Sequence, residues 1–144
     1  MYVADAKRLT AAGARKVMET ALARAKEAGI ALSVAVVDSG GHLILLERME
    51  GGKFHTVHSA TTKAVCAASN KRSTGSKGAV GQSLDVAHAL GLALAAGTER
   101  WTAMEGGWPI MAGAECIGGI GVAGGNWEFD ERVAREAAEA VAGQ

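Results

Sequence analysis

Two histidines, His55 and His58, stand three residues apart and form the most suggestive chemical pair in the sequence. On a helix this spacing places both imidazoles on one face, where they could address a single ligand. A structural metal would need further ligands, and His88, Glu105 and Cys66 are scattered along the chain. We therefore predict no metal site. Two interpretations stay open: both imidazoles are ordinary exposed groups, or at least one faces a pocket as an axial ligand or a general base.

Three further functional groups precede the histidines. Arg48, Met49 and Glu50 supply a cation, a thioether and a carboxylate shortly before the predicted helix begins. Lys63 follows His58 by five residues, which is about one and a half helical turns. Its amine either faces the same side as the imidazoles or is a solvated charge, and the spacing does not decide between the two.

Residues 105–109 form a candidate binding loop. Gly106 and Gly107 would let the backbone approach a ligand closely and expose amide N–H donors. Glu105 adds a carboxylate that could serve as a general base. The same residues also suit an ordinary lead into a β-hairpin, so both interpretations remain.

The stretch from Gly119 to Gly124 matches the pattern G-x-G-x-x-G, which in other contexts binds a dinucleotide. Only 20 residues follow Gly124, too few for the second strand and the ribose-binding acid of such a site. We interpret the glycines as strand residues under close packing followed by a tight turn. No G-x-S-x-G pattern is present either, so nucleophilic hydrolysis has little support.

Hydrophobic periodicity predicts the element order α-β-β-α-α-β-β-α, with one further strand possible near Trp101. Hairpins between helices indicate an α+β domain in which helices pack on an antiparallel sheet. The first hairpin is expected to be mostly buried. Helices are predicted over residues 10–29, 55–70, 84–96 and 130–141, strands over 31–37, 42–48, 108–111 and 115–122, and a mobile connector over 71–81.

Length and charge restrict the class of protein. The 144 residues suit one domain, 1–144, and 15 basic residues balance 15 acidic ones, so neither nucleic acid nor a membrane is an expected partner. The amino terminus lacks an apolar leader, and we expect a cytoplasmic protein. Cys66 and Cys116 stand alone in the sequence, so we predict two unbridged thiols.

Six stretches of the sequence form a combined pattern: 36–43, 48–51, 63–64, 106–110, 117–125 and 130–131. Together they resemble the GlcG/HbpS family, which also forms the C-terminal domain of PduO-type cobalamin adenosyltransferases. The resemblance covers nearly the whole chain and is weakest between residues 70 and 104. It implies a five-stranded antiparallel sheet, assembly into homo-oligomers and, in some members, haem binding. Ala123 departs from the family's usual Ser and removes a hydroxyl, and His55 and His58 are not part of the family pattern.

Two functions are therefore expected to compete. The first is an oligomeric protein that binds haem or a related tetrapyrrole between the second helix and the 105–109 loop. His55 or His58 would be the axial ligand, with Met49 as another candidate, while Arg48 or Lys63 pairs with a propionate.

The alternative is a cofactor-independent enzyme acting on a small oxygenated acid or an aromatic metabolite. His58 or Glu105 would be the general base, and Lys63 or Arg48 would hold a carboxylate. Amides of the glycine loop would stabilise an enolate. A purely structural or assembly role is a third possibility.

Overall fold

The computed structural model describes residues 1–143. Within these residues, four helices and four strands follow one another in the order predicted from the sequence. Its elements are α1 (Ala11–Ala28), β1 (Ser33–Asp38), β2 (Leu43–Arg48), α2 (His55–Asn70), α3 (Val86–Ala96), β3 (Gly107–Ala112), β4 (Glu115–Ala123) and α4 (Trp127–Glu139).

The strands form one antiparallel sheet in the order β2-β1-β4-β3. The expected count of about five strands is wrong for the part of the chain described, because the segment around Trp101 forms a loop before β3. Burial of the first hairpin is confirmed only for β1. As an edge strand, β2 leaves Leu43 and Leu46 50% and 40% exposed. The charged residues Glu47 and Arg48 suit such an edge.

Helices cover the two faces of the sheet unequally. Alternate side chains of β1 point to opposite faces: Val34 and Val36 join the core beneath α1 and α4, whereas Ala35 and Val37 face α2. The domain therefore has three layers, with α2 alone covering its side. No helix within residues 1–143 combines the length and hydropathy that a bilayer-spanning segment requires.

Helix α2 lies unusually close to β4. A Cβ at Gly121 would overlap the carbonyl oxygen of Ala60, and one at Gly119 would overlap that of Ala64. Gly124 follows with a φ of 129°, as a tight turn into α4 requires. The interpretation of G-x-G-x-x-G as a close-packing pattern is confirmed.

Capping residues define the ends of the helices. The Thr10 side chain accepts a hydrogen bond from the Gly13 amide at 3.0 Å, and Gly29 adopts the left-handed conformation beyond α1, as predicted. The last helix begins at Trp127, three residues before its predicted start, since Asn126 accepts a hydrogen bond from the Phe129 amide and caps it there. Both cysteines are free thiols, as predicted.

Candidate functional site

A buried ion pair joins α2 to the start of α4. Lys63 and Asp130 have side chains only 3% and 4% exposed, and their Nζ and Oδ2 atoms lie 3.6 Å apart. The Lys63 ammonium also donates to the Val122 carbonyl at 2.9 Å, and Asp130 Oδ1 accepts from the Gly125 amide at 2.9 Å. The amine whose orientation the spacing left open thus points into the protein.

Burial dominates the electrostatics of this pair. It lowers the pKa of Lys63, against the opposing charges of Asp130 and Glu105. It raises the pKa of Asp130, against the opposing charge of Lys63. Loss of water therefore penalises both charged forms, and the attraction between the groups offsets only part of that penalty.

Gly106 and Gly107 make room for protein groups. A Cβ at Gly106 would lie 2.8 Å from Nζ of Lys63, and at Gly107 it would overlap the Lys63 carbonyl oxygen. The Gly107 amide donates to Oγ1 of Thr74 at 2.8 Å. Both glycines do allow the backbone to approach another group closely, as predicted. That group is helix α2 and the segment around Thr74, where a ligand was expected.

His58 is oriented by a backbone carbonyl. Its Nε2 lies 3.1 Å from the carbonyl oxygen of Thr98, which also accepts a hydrogen bond from Oγ1 of Thr62 at 2.8 Å. Because a carbonyl oxygen can only accept, Nε2 must carry the proton in this hydrogen bond. In the neutral ring, Nδ1 is then the basic nitrogen.

A small cavity of about 190 Å³ opens between α2 and the loop that follows α3. Sequence reasoning missed the contribution of this loop, since its residues form no known motif. The side chain of Trp101, a large aromatic in a chain with few, was the one available signal. Lining residues include His58, Thr62 and Lys63 from α2, and Thr98, Trp101 and Met104 from the loop.

The remaining predicted residues lie apart from this cavity. His55 is exposed on the first turn of α2, and its ring packs edge-on against Phe54. Arg48 is also exposed and donates to the Gly52 carbonyl at 3.1 Å. Met49 instead packs against the core under α1 and α4, where its sulfur accepts a hydrogen bond from the Leu32 amide at 3.4 Å.

The predicted residues thus divide into two groups. His58 and Lys63 share the cavity, and the charge of Glu105 acts on Lys63. His55 and Arg48 lie on the outer surface near the start of α2. In residues 1–143, no three histidine, cysteine or acidic side chains converge to hold a metal ion.

A larger groove of about 660 Å³ lies beside the start of α1. Its walls carry the cations Lys7, Arg8 and Lys16 over an apolar floor that includes Leu9 and Ile117. None of the predicted site residues lines it. We place the candidate site at the smaller cavity and the adjoining turn of α2 because the imidazoles lie there.

Residues 9–139 match the family described as "Haem degrading protein HbpS-like". The chain belongs to this family. The resemblance first seen in the motifs of the sequence is therefore confirmed.

Several solved structures share the fold. Klebsiella pneumoniae protein ORFY is 30% identical with a TM-score of 0.83, over 97% of this chain and 95% of that one. HbpS is also 30% identical, with a TM-score of 0.79 over 99% of this chain and 96% of that one. A PduOC:heme complex, at 22% identity and a TM-score of 0.79 over 94% and 96% of the two chains, shows the fold alone.

A curated relative comes from Citrobacter freundii. It is a 15.0 kDa protein of the dhaT-dhaS intergenic region, 29% identical over 130 residues that span 90% of this chain and 89% of that protein.

Proposed function

We propose that the protein binds haem or a related tetrapyrrole on the exposed first turn of α2, with His55 as the axial ligand of the iron. The family description names haem degradation, and a protein of the same fold is known as a haem complex. Both support a tetrapyrrole as the ligand. The choice of binding residues rests on the contacts and exposure of side chains in this chain.

We choose His55 over His58 because the two imidazoles differ in exposure and hydrogen bonding. Its ring is exposed and lies against Phe54, itself 83% exposed, which offers a flat apolar surface beside the imidazole. Nε2 of His58, by contrast, is held by the Thr98 carbonyl. Iron binding through His58 would require that hydrogen bond to break or the more crowded Nδ1 to serve.

The surroundings of His55 suit an amphipathic, anionic macrocycle. The exposed guanidinium of Arg48 lies near the start of α2, tied to the Gly52 carbonyl, and can pair with a propionate. The sulfur of Met49 is engaged by Leu32. The neighbouring cavity of about 190 Å³ is smaller than the roughly 300–1,000 Å³ typical of pockets for drug-sized ligands, so the macrocycle is assigned to the surface.

A hemin titration followed by absorbance tests this assignment. We compare the wild type with His55→Ala, His58→Ala and Met49→Ala, and use His88→Ala as a matched control that removes another exposed imidazole. Loss of a coordinate bond should weaken binding by about 5- to 150-fold in His55→Ala, the equivalent of roughly 1–3 kcal/mol. Its Soret maximum should shift as well, while His88→Ala behaves as the wild type.

Other patterns would overturn the assignment. A loss confined to His58→Ala would move the ligand to His58, and identical spectra in all five proteins would exclude every iron ligand named. Melting temperatures of each variant separate loss of binding from loss of fold.

The cavity itself favours a second candidate function, acid–base catalysis on a small oxygenated acid. The Thr98 carbonyl holds the proton of the His58 ring on Nε2, which leaves Nδ1 as the nitrogen that can act as a general base. A volume of about 190 Å³ suits a substrate of a few carbon atoms.

Proton exchange measures this chemistry without knowledge of the true substrate. A panel of small oxo acids in deuterium oxide is followed by NMR for exchange next to the carbonyl group. The wild type and His55→Ala should accelerate exchange, whereas His58→Ala should lose about 10²–10⁴-fold. A wild type that accelerates none of the panel would count against the enzyme.

We further propose that the chain self-associates. Its support is the set of large apolar side chains left exposed, among them Val86, Leu90 and Leu94. Light scattering at micromolar concentration should return a multiple of 14.6 kDa. A mass of one chain would contradict the proposal.

A further inference from the structure

Helix α3 has almost no partner in its own chain. Over eleven residues, Ala89 alone is buried, and contact with any other helix or strand is at most marginal. Val86 is 83% exposed, Leu90 58% and Leu94 70%. An apolar helix left in water at these fractions is typical of an interaction surface.

The outward side of α3 has a relief that fits a copy of itself. Residues four apart form two neighbouring rows, a ridge of large side chains and a groove of small ones. The ridge consists of Val86, Leu90 and Leu94, and the groove of Ala87, Gly91 and Ala95. Rows with this spacing interlock when two helices pack ridge into groove. Because one helix carries both rows, each copy offers what the other needs.

We propose that α3 is the self-association surface and that it packs against α3 of a second copy of this chain. This assignment rests on the proposed self-association and names its surface. A specific interface removes about 1,000 Å² or more from water, and the exposed Val86, Leu90 and Leu94 of two copies would supply its apolar centre. A symmetric pair of this kind buries the same patch on both subunits.

Charge favours an antiparallel pair. From Val86 to Thr98 the sequence contains no Lys, Arg, Asp or Glu. Asp85 caps the start of the helix, while Glu99 and Arg100 follow its end. An antiparallel pair brings Asp85 of each copy towards Arg100 of the other, although Glu99 weakens that attraction. A parallel pair would set Asp85 against Asp85.

A second copy fits this surface better than a membrane does. Helices that lie in a bilayer interface carry Lys and Arg on a distinct polar face. The residues of α3 include neither, and its polar side chain, His88, pairs with Asp85 at 2.9 Å.

Size-exclusion chromatography with light scattering tests the surface, with the wild type beside three variants. Leu90→Glu places a charge in the ridge. Gly91→Leu fills the groove, and because a Cβ at Gly91 meets nothing within 4 Å, a single chain should accommodate it. Leu43→Glu is the control, since it charges a leucine of similar exposure, 50% against 58% for Leu90, on the edge strand β2. Circular dichroism and melting temperature verify folding.

The mass of both α3 variants should fall to half that of the wild type or less, while Leu43→Glu keeps the wild-type mass. A wild-type multimer that survives both α3 substitutions would overturn the assignment to α3 and leave self-association standing. Dissociation by Leu43→Glu alone would move the interface to β2. A monomeric wild type would overturn both proposals, and if it sedimented with lipid vesicles the membrane would replace the second copy.

Discussion

Helices α2 and α3 are both rich in alanine and poor in charge, yet their surroundings are opposite. Ala60, Ala64 and Ala67 of α2 are completely buried, whereas α3 buries only Ala89. The difference lies in the opposing surface, because β4 presents Gly119 and Gly121 to α2 and nothing comparable faces α3. An alanine-rich helix becomes part of a core when its neighbour lacks Cβ atoms and the backbones can approach.

Breaking the buried pair on α2 should have the largest effect. Lys63→Met leaves the carboxylate of Asp130 buried without its counterion, which costs about 3–5 kcal/mol in the free energy of unfolding. The double variant Lys63→Met/Asp130→Leu should recover much of that loss. Urea denaturation measures both. A double variant no more stable than Lys63→Met would show that the two groups do not act as a pair.

The pH dependence of stability tests the direction in which burial shifts the pKa of Asp130. Burial raises the pKa of Asp130 in the folded protein above its ordinary value of 3.8. The protonated carboxyl therefore stabilises the fold relative to the ionised one. This stabilisation is complete below pH 3.8 and is lost as the pH rises through the pKa of the folded protein. The advantage of the wild type over Asp130→Asn in unfolding free energy should therefore grow as the pH falls from neutral. A difference that shrinks on acidification would contradict the direction.

Two glycine-to-alanine substitutions, one on the strand that faces α2 and one on α3, should give effects of intermediate size. Gly121→Ala forces a Cβ onto the Ala60 carbonyl and should cost about 3 kcal/mol, at the upper end for an overpacked core. A Cβ at Gly91 meets open space. Gly91→Ala should therefore stabilise the helical state of α3, by up to about 1 kcal/mol. Urea denaturation and circular dichroism follow the two effects. Equal losses would mean that a single chain packs α3 as tightly as it packs α2.

The capping residues give the smallest effect. Thr10 caps α1, which packs on the core, and Asp85 caps the unpacked α3. Thr10→Ala should lower the free energy of global unfolding by about 1 kcal/mol. Asp85→Ala should speed hydrogen exchange within α3 at unchanged global stability, since a loosely packed element opens by itself. A global loss in both variants would argue that α3 unfolds together with the domain.

Local signals predicted the elements of this fold well and its edges poorly. Thr10 and Gly29 define α1 in the sequence as in the structure, because capping depends on neighbouring residues. The leucines of β2 predict burial equally clearly, yet this strand lies at the sheet edge. Which strand lies at an edge depends on how β1 pairs with β4 across distant sequence, and no local pattern records that.

The candidate site shows the same limit. The spacing of His55 and His58 predicts their shared helical face, which rests on helix geometry alone. The inward direction of Lys63 depends on Val122 and Asp130, which lie 59 and 67 residues further along the chain. Met49 packs against the core for a similar reason, since its partner Leu32 lies on the far side of a hairpin.

Residues 75–106 form an excursion from the sheet that carries α3, and Thr74 and Gly107 join its two ends. The Thr74 amide donates to the Gly107 carbonyl at 3.0 Å, and the Gly107 amide donates to Oγ1 of Thr74. Everything between them leaves the sheet and comes back at one point. Lengthening such an excursion adds little closure entropy. Mutation and insertion can therefore reshape it while the sheet stays constant. An insertion in this segment would alter the cavity beside Thr98 and the exposed face of α3 and would leave the strand pairing unchanged.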